Sequence, residues 1–318
     1  MLPQLDGVHS SRQLPDDRVR FQVKEESPCL SWAFKAVTDA SVVFMPASRF
    51  SWEELTGAYN QTRVDYIVPM PMSVGRLREY ARNYDIDLDA SVVAIEAGQI
   101  LGLAMLGVRR DHTWPTRLGV LPISRQRGLG RALMAYLLDQ SCRLGAAHVV
   151  LEVIQGNAPA HALFTRLGFR ETRPLLILRR PPGRLLVEAA PYAVQSLDQV
   201  QIAACLERRS GVPSWLDETP SLHNMGGLAG LRVELAGGGG AGWIVYQDKT
   251  FQLSHLVLET EAGDPTQVGR ALLHALHTQH PAKDTNTENV PLDDPHLPAM
   301  KEAGYLESFG RIEMRLDI

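Results

Sequence analysis

From residue 42 onward, apolar and polar positions fall into short blocks whose period switches between two and about 3.6. Val42-Val-Phe44 reads as a strand, and Ser51-Trp-Glu-Glu54 is a capping box that opens a helix. Ser73 opens a second helix through Asn83, with Val74, Leu77, Tyr80 and Ala81 on one face. Strands over 91–95 and 100–108 flank the turn Ala97-Gly98, and a further strand covers 117–121. A helix over 128–144 and a buried strand over 148–154 follow. A short helix over 159–167, stopped by Gly168, and a strand over 175–178 complete the unit. Residues 179–183 (Arg-Arg-Pro-Pro-Gly) read as a linker.

The second half repeats this order more loosely. Strands over 231–235 and 242–246 flank Gly237-Gly-Gly-Gly240 as a hairpin. A strand over 251–258, a helix over 268–277, a short helix over 297–303 and a strand over 311–316 follow. Gly130-Arg-Ala-Leu133 recurs as Gly269-Arg-Ala-Leu272, and Gly168-Phe169 as Gly304-Tyr305, in matching structural positions. A duplicated domain explains both. The reading is an α/β (α+β) chain with one domain over 42–180 and a degenerate copy over 184–318. Residues 1–41, poor in apolar positions at their start, read as a loose N-terminal extension. Met45 directly precedes the well-patterned stretch, so an over-extended gene start is an expectation too.

Composition narrows the classes. A chain of 318 residues with 45% hydrophobic and 21% charged residues suits two globular domains. The net charge of −4 gives no reason to expect nucleic acid. No apolar run is long enough to span a bilayer, no secretory start is visible, and the cytoplasm is the expected compartment. Cys29, Cys142 and Cys205 are too widely spaced for a disulfide framework or a metal site. His274, His277 and His280 fit a metal face poorly and read as solvated; Asp111 and His112 read as a polar turn without a partner.

The chemistry concentrates in one stretch. A strand ends near Pro122, a polar turn follows, and an amphipathic helix begins at about Gly128. The first N–H groups of a helix have no intrahelical partner, and its dipole favours negative charge. Gly128 and Gly130 clear side chains from that backbone, and Arg125, Arg127 and Arg131 add positive charge, which together predict an anion site for a phosphorylated ligand. No Lys followed by Ser or Thr completes a nucleotide P-loop, and Leu133 stands where a dinucleotide motif needs a third glycine.

The run Arg125-Gln-Arg-Gly128-Leu-Gly130 resembles the Arg/Gln-x-x-Gly-x-Gly/Ala motif of the GNAT acyl-CoA N-acyltransferases. Leu118-Gly-Val120 is similar to the strand leading into it, and Leu151-Glu-Val153, Asn157 to Phe164 and Gly168-Phe169 are similar to the second signature. The resemblance implies mixed, mostly antiparallel sheets flanked by helices, with two middle strands splayed apart in the first. It implies acetyl-CoA as cosubstrate, no metal, and direct attack by an amine on the thioester. Leu118, Val120, Arg125, Gln126, Arg127, Gly128, Leu129, Gly130 and Arg131 would hold the pantetheine and pyrophosphate, and Asn157 and Phe164 would line the thiol end. Acceptors open to this reading are a small amine or a peptide N-terminus.

Glu152 is the lone charge in the strand over 148–154 and the candidate base, with a structural carboxylate as the equal alternative. Phe164 stands where the family often has a proton-donating Tyr, and Phe cannot donate. His161, one turn earlier, could reach the cleft but reads more simply as an exposed helix residue. Residues 60–72 are expected to wall the acceptor side. In the second half, Asp264-Pro-Thr-Gln267 replaces the anion turn, and the copy reads as a non-catalytic partner. Two functions stand open: an N-acetyltransferase, and a CoA-binding sensor or assembly module without turnover.

Overall fold

The computed structural model describes residues 41–185 and 187–318. The expected extension therefore lies outside the described residues except for Ser41. A single sheet of 12 strands runs through both halves. The first half contributes β1 (Val43–Pro46), β2 (Ile86–Glu96), β3 (Gln99–Val108), β4 (His112–Val120), β5 (His148–Ile154) and β6 (Arg170–Arg180). The second contributes β7 (Tyr192–Ser196), β8 (Leu228–Leu235), β9 (Gly240–Asp248), β10 (Gln252–Gly263), β11 (Asp284–Pro291) and β12 (Leu306–Asp317). The spatial order is β1-β2-β3-β4-β5-β12-β6-β11-β10-β9-β8-β7. Exchanging each strand with the one six places on leaves this order unchanged, which is what a duplicated unit produces.

The last strand of each half is exchanged. β12 inserts between β5 and β6, and β6 inserts between β12 and β11. Residues 179 and 180, expected in a linker, are therefore strand. The Arg180 guanidinium is held by the carbonyls of Pro181, Gly183 and Ala303, and the latter belongs to the second half. Proline and glycine in this stretch mark where β6 ends.

Alternation along the strands assigns the two faces. Val93, Leu103 and Met105 pack against Leu55, Tyr59 and Leu77 of α1 (Trp52–Gln61) and α2 (Val74–Asn83). Their neighbours Val92, Ala104 and Leu106 point the other way, against Leu133, Leu137 and Phe164 of α3 (Leu129–Arg143) and α4 (Ala158–Arg166). The second half matches this. Trp243 and Val245 meet α5 (Gln199–Arg208) and α6 (Thr219–Met225), whereas Ile244 and Tyr246 meet α7 (Pro265–Gln279) and α8 (Leu297–Glu302). Ser51 closes the expected capping box at α1. The strands β7 and β11 and helices α5 and α6 were not expected as elements. None of the described helices is long and apolar enough to cross a membrane.

The halves meet on the α1/α2 face through Trp215. Its indole stacks on Trp114 at 5.5 Å, donates to the Tyr84 carbonyl at 3.0 Å and lies under the Arg109 guanidinium. A Cβ on Gly107 would sit 2.6 Å from that indole, so this strand position has to be glycine. His112 belongs to the same junction. Asp111 and the second half's Glu218 both partner it, which corrects the unpartnered polar turn expected there. Burial pulls the imidazole pKa down, but the two carboxylates outweigh it and leave His112 raised. The three helix histidines are also corrected: His277 is buried against the Tyr305 hydroxyl, and burial lowers its pKa to about 3. His274 and His280 contact the hydroxyls of Tyr192 and Tyr246.

Two predictions follow from this arrangement. Residues 41–182 alone lack β12, so β5 and β6 lose their shared partner and cooperative urea unfolding disappears; appending residues 306–318 restores it. Trp215→Ala in the full chain costs about 3–5 kcal/mol in urea unfolding, the usual loss for a large buried aromatic.

Candidate active site

β4 and β5 are parallel neighbours at only two positions, His112 with His148 and Thr113 with Val149. Beyond them the strands diverge and a wedge opens toward Val120 and Ile154. Two features turn β4 aside: the register with β3 shifts between Leu103 and Met105, and Arg117 adopts a left-handed φ of 54°. Backbone groups that line such a gap lack ladder partners, so the wedge is a place for a ligand that carries amides of its own.

The turn at the head of α3 stands at the open end. After a 3-10 turn at Pro122–Ser124, Gln126 and Gly128 both take positive φ, 64° and 80°. Gly128 is the N-cap, and no side chain caps the helix. A Cβ at Gly128 would meet nothing within 4 Å, so glycine is required there by conformation and not by packing. At Gly130 the nearest atom is Leu163 Cδ2 at 3.6 Å. The fold itself would accept a side chain at Gly130; glycine leaves the surface open to something outside the chain. Leu129 is buried beneath it, and Arg131 is exposed on the first turn.

The arginines contribute less charge than the sequence suggests. Arg125 grips Asp65 with both Nη atoms at 2.6 and 2.7 Å, and Arg127 binds Glu96 at 2.7 Å. The hydrogen bond from Arg125 holds Asp65 below the usual carboxylate range. An anion at this turn would be attracted chiefly by the uncapped N–H groups and the helix dipole.

Asp65 belongs to a strap, residues 62–72, that crosses the wedge. Asn60 closes its base with two hydrogen bonds to the Met72 backbone, each 2.9 Å. Arg63 donates to the Leu118 carbonyl at 2.8 Å on the β4 side and stacks over Tyr66 at 4.0 Å. The Asn157 amide donates to the Tyr66 hydroxyl at 3.3 Å on the β5 side. Asn157 also caps α4 by accepting from the Ala160 N–H. Phe164 points into the core against Phe169 and is 7% exposed. His161 is paired with Glu171 at 2.6 Å, in line with the simpler reading.

Glu152 sits on the α1/α2 face, half-buried. One carboxylate oxygen accepts from Trp114 Nε1 at 2.7 Å and the other from Asn289 Nδ2 at 3.2 Å. Burial pushes its pKa up to about 7, against the downward pull of Arg311 and of the Trp114 N–H; Glu313 and Glu288 add to the rise. Glu288, near the corresponding place on β11, goes the opposite way. Burial raises it, but Arg311 at 2.8 Å, together with His255 and Arg117, outweighs burial and leaves it lowered. Two neighbouring carboxylates beside the same arginine are thus held in different protonation ranges. Ser214, Asp217, Glu288 and Asn289 also line a cavity of about 130 Å³ on the second-half side. The sequence carried no signal for Asn289 or Arg311, and Arg311 approaches because β12 is exchanged.

The corresponding turn in the second half is blocked. Asp264 caps α7 by accepting from the Gln267 N–H at 2.9 Å, which occupies a donor that an anion would need. A Cβ on Gly269 would lie 3.0 Å from Ala299 of α8, so the two helices close over the place that is open at Gly130.

Residues 55–169 match the model of the acetyltransferase (GNAT) family. Over that stretch the chain is similar to the GNAT acetyltransferases, and the strand order repeats the same unit in the second half. It is 38% identical over 74 residues to the ribosomal protein bS18 alanine N-acetyltransferase of Escherichia coli K12, covering 23% of this chain and 50% of that protein. It is 36% identical over 137 residues to the mycothiol acetyltransferase of Frankia alni, covering 41% of this chain and 37% of that one. The chain thus spans half or less of the length of these curated relatives. A tandem GNAT protein from the clavulanic acid biosynthesis pathway shares the fold across 87% of this chain and 98% of its own, with a TM-score of 0.58 and 14% identity.

One pair of variants tests the turn. Gly130→Glu should leave the melting temperature within about 2 °C of wild type, because its surroundings are open and an acidic residue suits the first helical turn. The same variant should lose the rise in melting temperature that acetyl-CoA gives wild type, whereas Gly130→Ala keeps it.

Proposed function

We propose that the chain is an acyl-CoA-dependent N-acyltransferase that moves an acetyl group from acetyl-CoA to a primary amine by direct attack. The observation that carries this reading is the Glu152 carboxyl. It lies near neutral pKa on the strand that forms one wall of a wedge, and an uncapped helix start stands at the open end of that wedge. Acetyl-CoA, when bound, supplies the thioester; pantetheine amides suit the unpaired edges of β4 and β5, including Leu118 and Val120. The pyrophosphate suits the N–H groups from Arg125 to Arg131.

Glu152 takes the proton of the attacking ammonium. A pKa of about 7 keeps a useful fraction of the carboxylate ionised at neutral pH while leaving it basic enough to accept. Trp114 and Asn289 fix its orientation through one donor on each oxygen. Because Phe164 is buried and cannot donate, the Tyr66 hydroxyl, at the Asn157 end of the strap, is the group that returns a proton to the departing sulfur. The second reading, a CoA-binding module without turnover, rests on Phe164 and requires that Tyr66 supply nothing. The names of the relatives, a ribosomal-protein alanine N-acetyltransferase and a mycothiol acetyltransferase, have acetyl transfer in common with this proposal.

Thiol release from acetyl-CoA in the presence of an amine tests the reading. Glu152→Gln should lower kcat by about 10²–10⁴, and Tyr66→Phe by about 10-fold or more with little change in KM. The wild-type kcat/KM should fall below pH about 7 as Glu152 is protonated. The sign for stability is the reverse. A carboxyl raised in the folded state contributes stability at low pH that is lost as pH rises from about 4.5 to about 7. Glu152→Gln should therefore match wild type at pH 4 and exceed it at pH 8 by up to about 3 kcal/mol. Acetyl-CoA binding with no thiol release from any amine would favour the module.

A further inference from the structure

Arg117 stands out on the sheet face that carries Glu152. In a regular strand it would point away from Thr116, yet both residues meet the same tyrosine of α2. Thr116 bonds the Tyr80 hydroxyl at 2.7 Å, and the Arg117 guanidinium lies over the Tyr80 ring at 4.0 Å. The left-handed φ of 54° makes this possible, a conformation that costs a non-glycine residue free energy and persists only where its surroundings enforce it. The bulge re-aims a cation onto the face that carries Trp114 and Glu152.

Once there, the guanidinium has no carboxylate paired to it among the described residues. Nη1 donates to the Tyr59 hydroxyl at 3.1 Å, Nε is buried without an acceptor, and the Nε–Nη2 edge meets none among the described residues. Glu288, whose charge favours the Arg117 cation, is bound to Arg311, and Glu152 to Trp114 and Asn289. The second half supplies a comparison within the same molecule. His255 takes φ 52° at the corresponding bulge of β10, and there the ring is satisfied by Asp217 at 2.9 Å. A buried donor left without an acceptor is costly, and the planar Nε–Nη2 edge matches the two oxygens of a carboxylate.

We propose that Arg117 binds a carboxylate of the acceptor, so that the acceptor is an amino acid or similar amino-carboxylate whose amine faces Glu152 while its carboxylate pairs with Arg117. This rests on the transferase reading above and specifies its substrate class. Tyr59 and Tyr80 hold the guanidinium in place, and Trp114 separates the anionic end of the acceptor from the basic carboxylate. The reaction is ordinary amide formation: the amine nitrogen bonds to the acetyl carbon, the carbon–sulfur bond breaks, and the amine proton leaves through Glu152.

The test uses the full chain, acetyl-CoA and matched acceptors: leucine with leucinamide, glutamine with glutamine amide, and spermidine as an amine without a carboxylate. Thiol release should favour the acid over its amide by about 30-fold or more in kcat/KM, the range for removing one partner of a buried charge pair. Arg117→Gln should reduce that ratio to within a few-fold of one, acting mainly through KM, and Arg117→Lys should keep a preference for the acid. Equal turnover of acids and amides by wild type, or turnover of spermidine alone, would overturn the assignment and leave the transferase intact. Thiol release with none of these amines, under conditions where acetyl-CoA raises the melting temperature, would overturn both. The wild-type ratio is independent of whether any Arg117 variant folds.

Discussion

The ladder between β5 and β12 is the contact on which the rest of the molecule depends. β5 pairs with β4 at only two positions, so on that side it is nearly an edge strand. On its other side every residue from His148 to Ile154 has a partner in β12. A strand from the end of the chain thus holds β5 in the middle of a sheet while its facing edge toward β4 stays open. Without that support, the unpaired backbone groups of the wedge would be an invitation to zip shut or aggregate. With it, the opening is a stable feature of the fold, and the same exchange carries Arg311 and Glu313 to the neighbourhood of Glu152.

The duplication is symmetrical in strand order and asymmetrical in chemistry. Each half has a bulged central strand, a splayed parallel pair and a helix start facing the splay. In the first half the helix start is uncapped at Gly128 and the bulge presents Arg117; in the second, Asp264 caps the helix and His255 is paired with Asp217. Groups left unsatisfied in one copy are satisfied internally in the other. This contrast supports a division of labour in which the first half holds the reacting groups and the second supplies their environment. Asn289 donates to Glu152, Arg311 sets its field, and Trp215 seals the aromatic wall beside it.

What could be read in advance was what local sequence determines. Glycines at 128 and 130 after a strand, a lone carboxylate in an apolar strand, and a capping box at Ser51 each carry their physics within a few residues. The repeated Gly-Arg-Ala-Leu run marked the duplication for the same reason. The strand exchange left no local trace, because β12 looks like any amphipathic strand and its partner lies about half a chain away. The positive φ of Arg117 was equally hidden, since no glycine announced the bulge. Charges were misjudged where the partner was remote: Arg125 and Arg127 are engaged by Asp65 and Glu96, and His112 by Glu218. Helices α5 and α6 were missed because short helices surrounded by Gly, Pro and Ser give little periodic signal.

The central claim is that a strand from the second half tunes a base in the first. The most direct measurement is the pH dependence of kcat/KM for acetyl transfer in wild type, Arg311→Met and Arg311→Lys. Arg311 pulls the Glu152 pKa down, so its removal should move the acidic limb of the profile upward by about one unit. The lysine variant should stay near wild type. An acidic limb that does not move when the charge is removed would contradict the account.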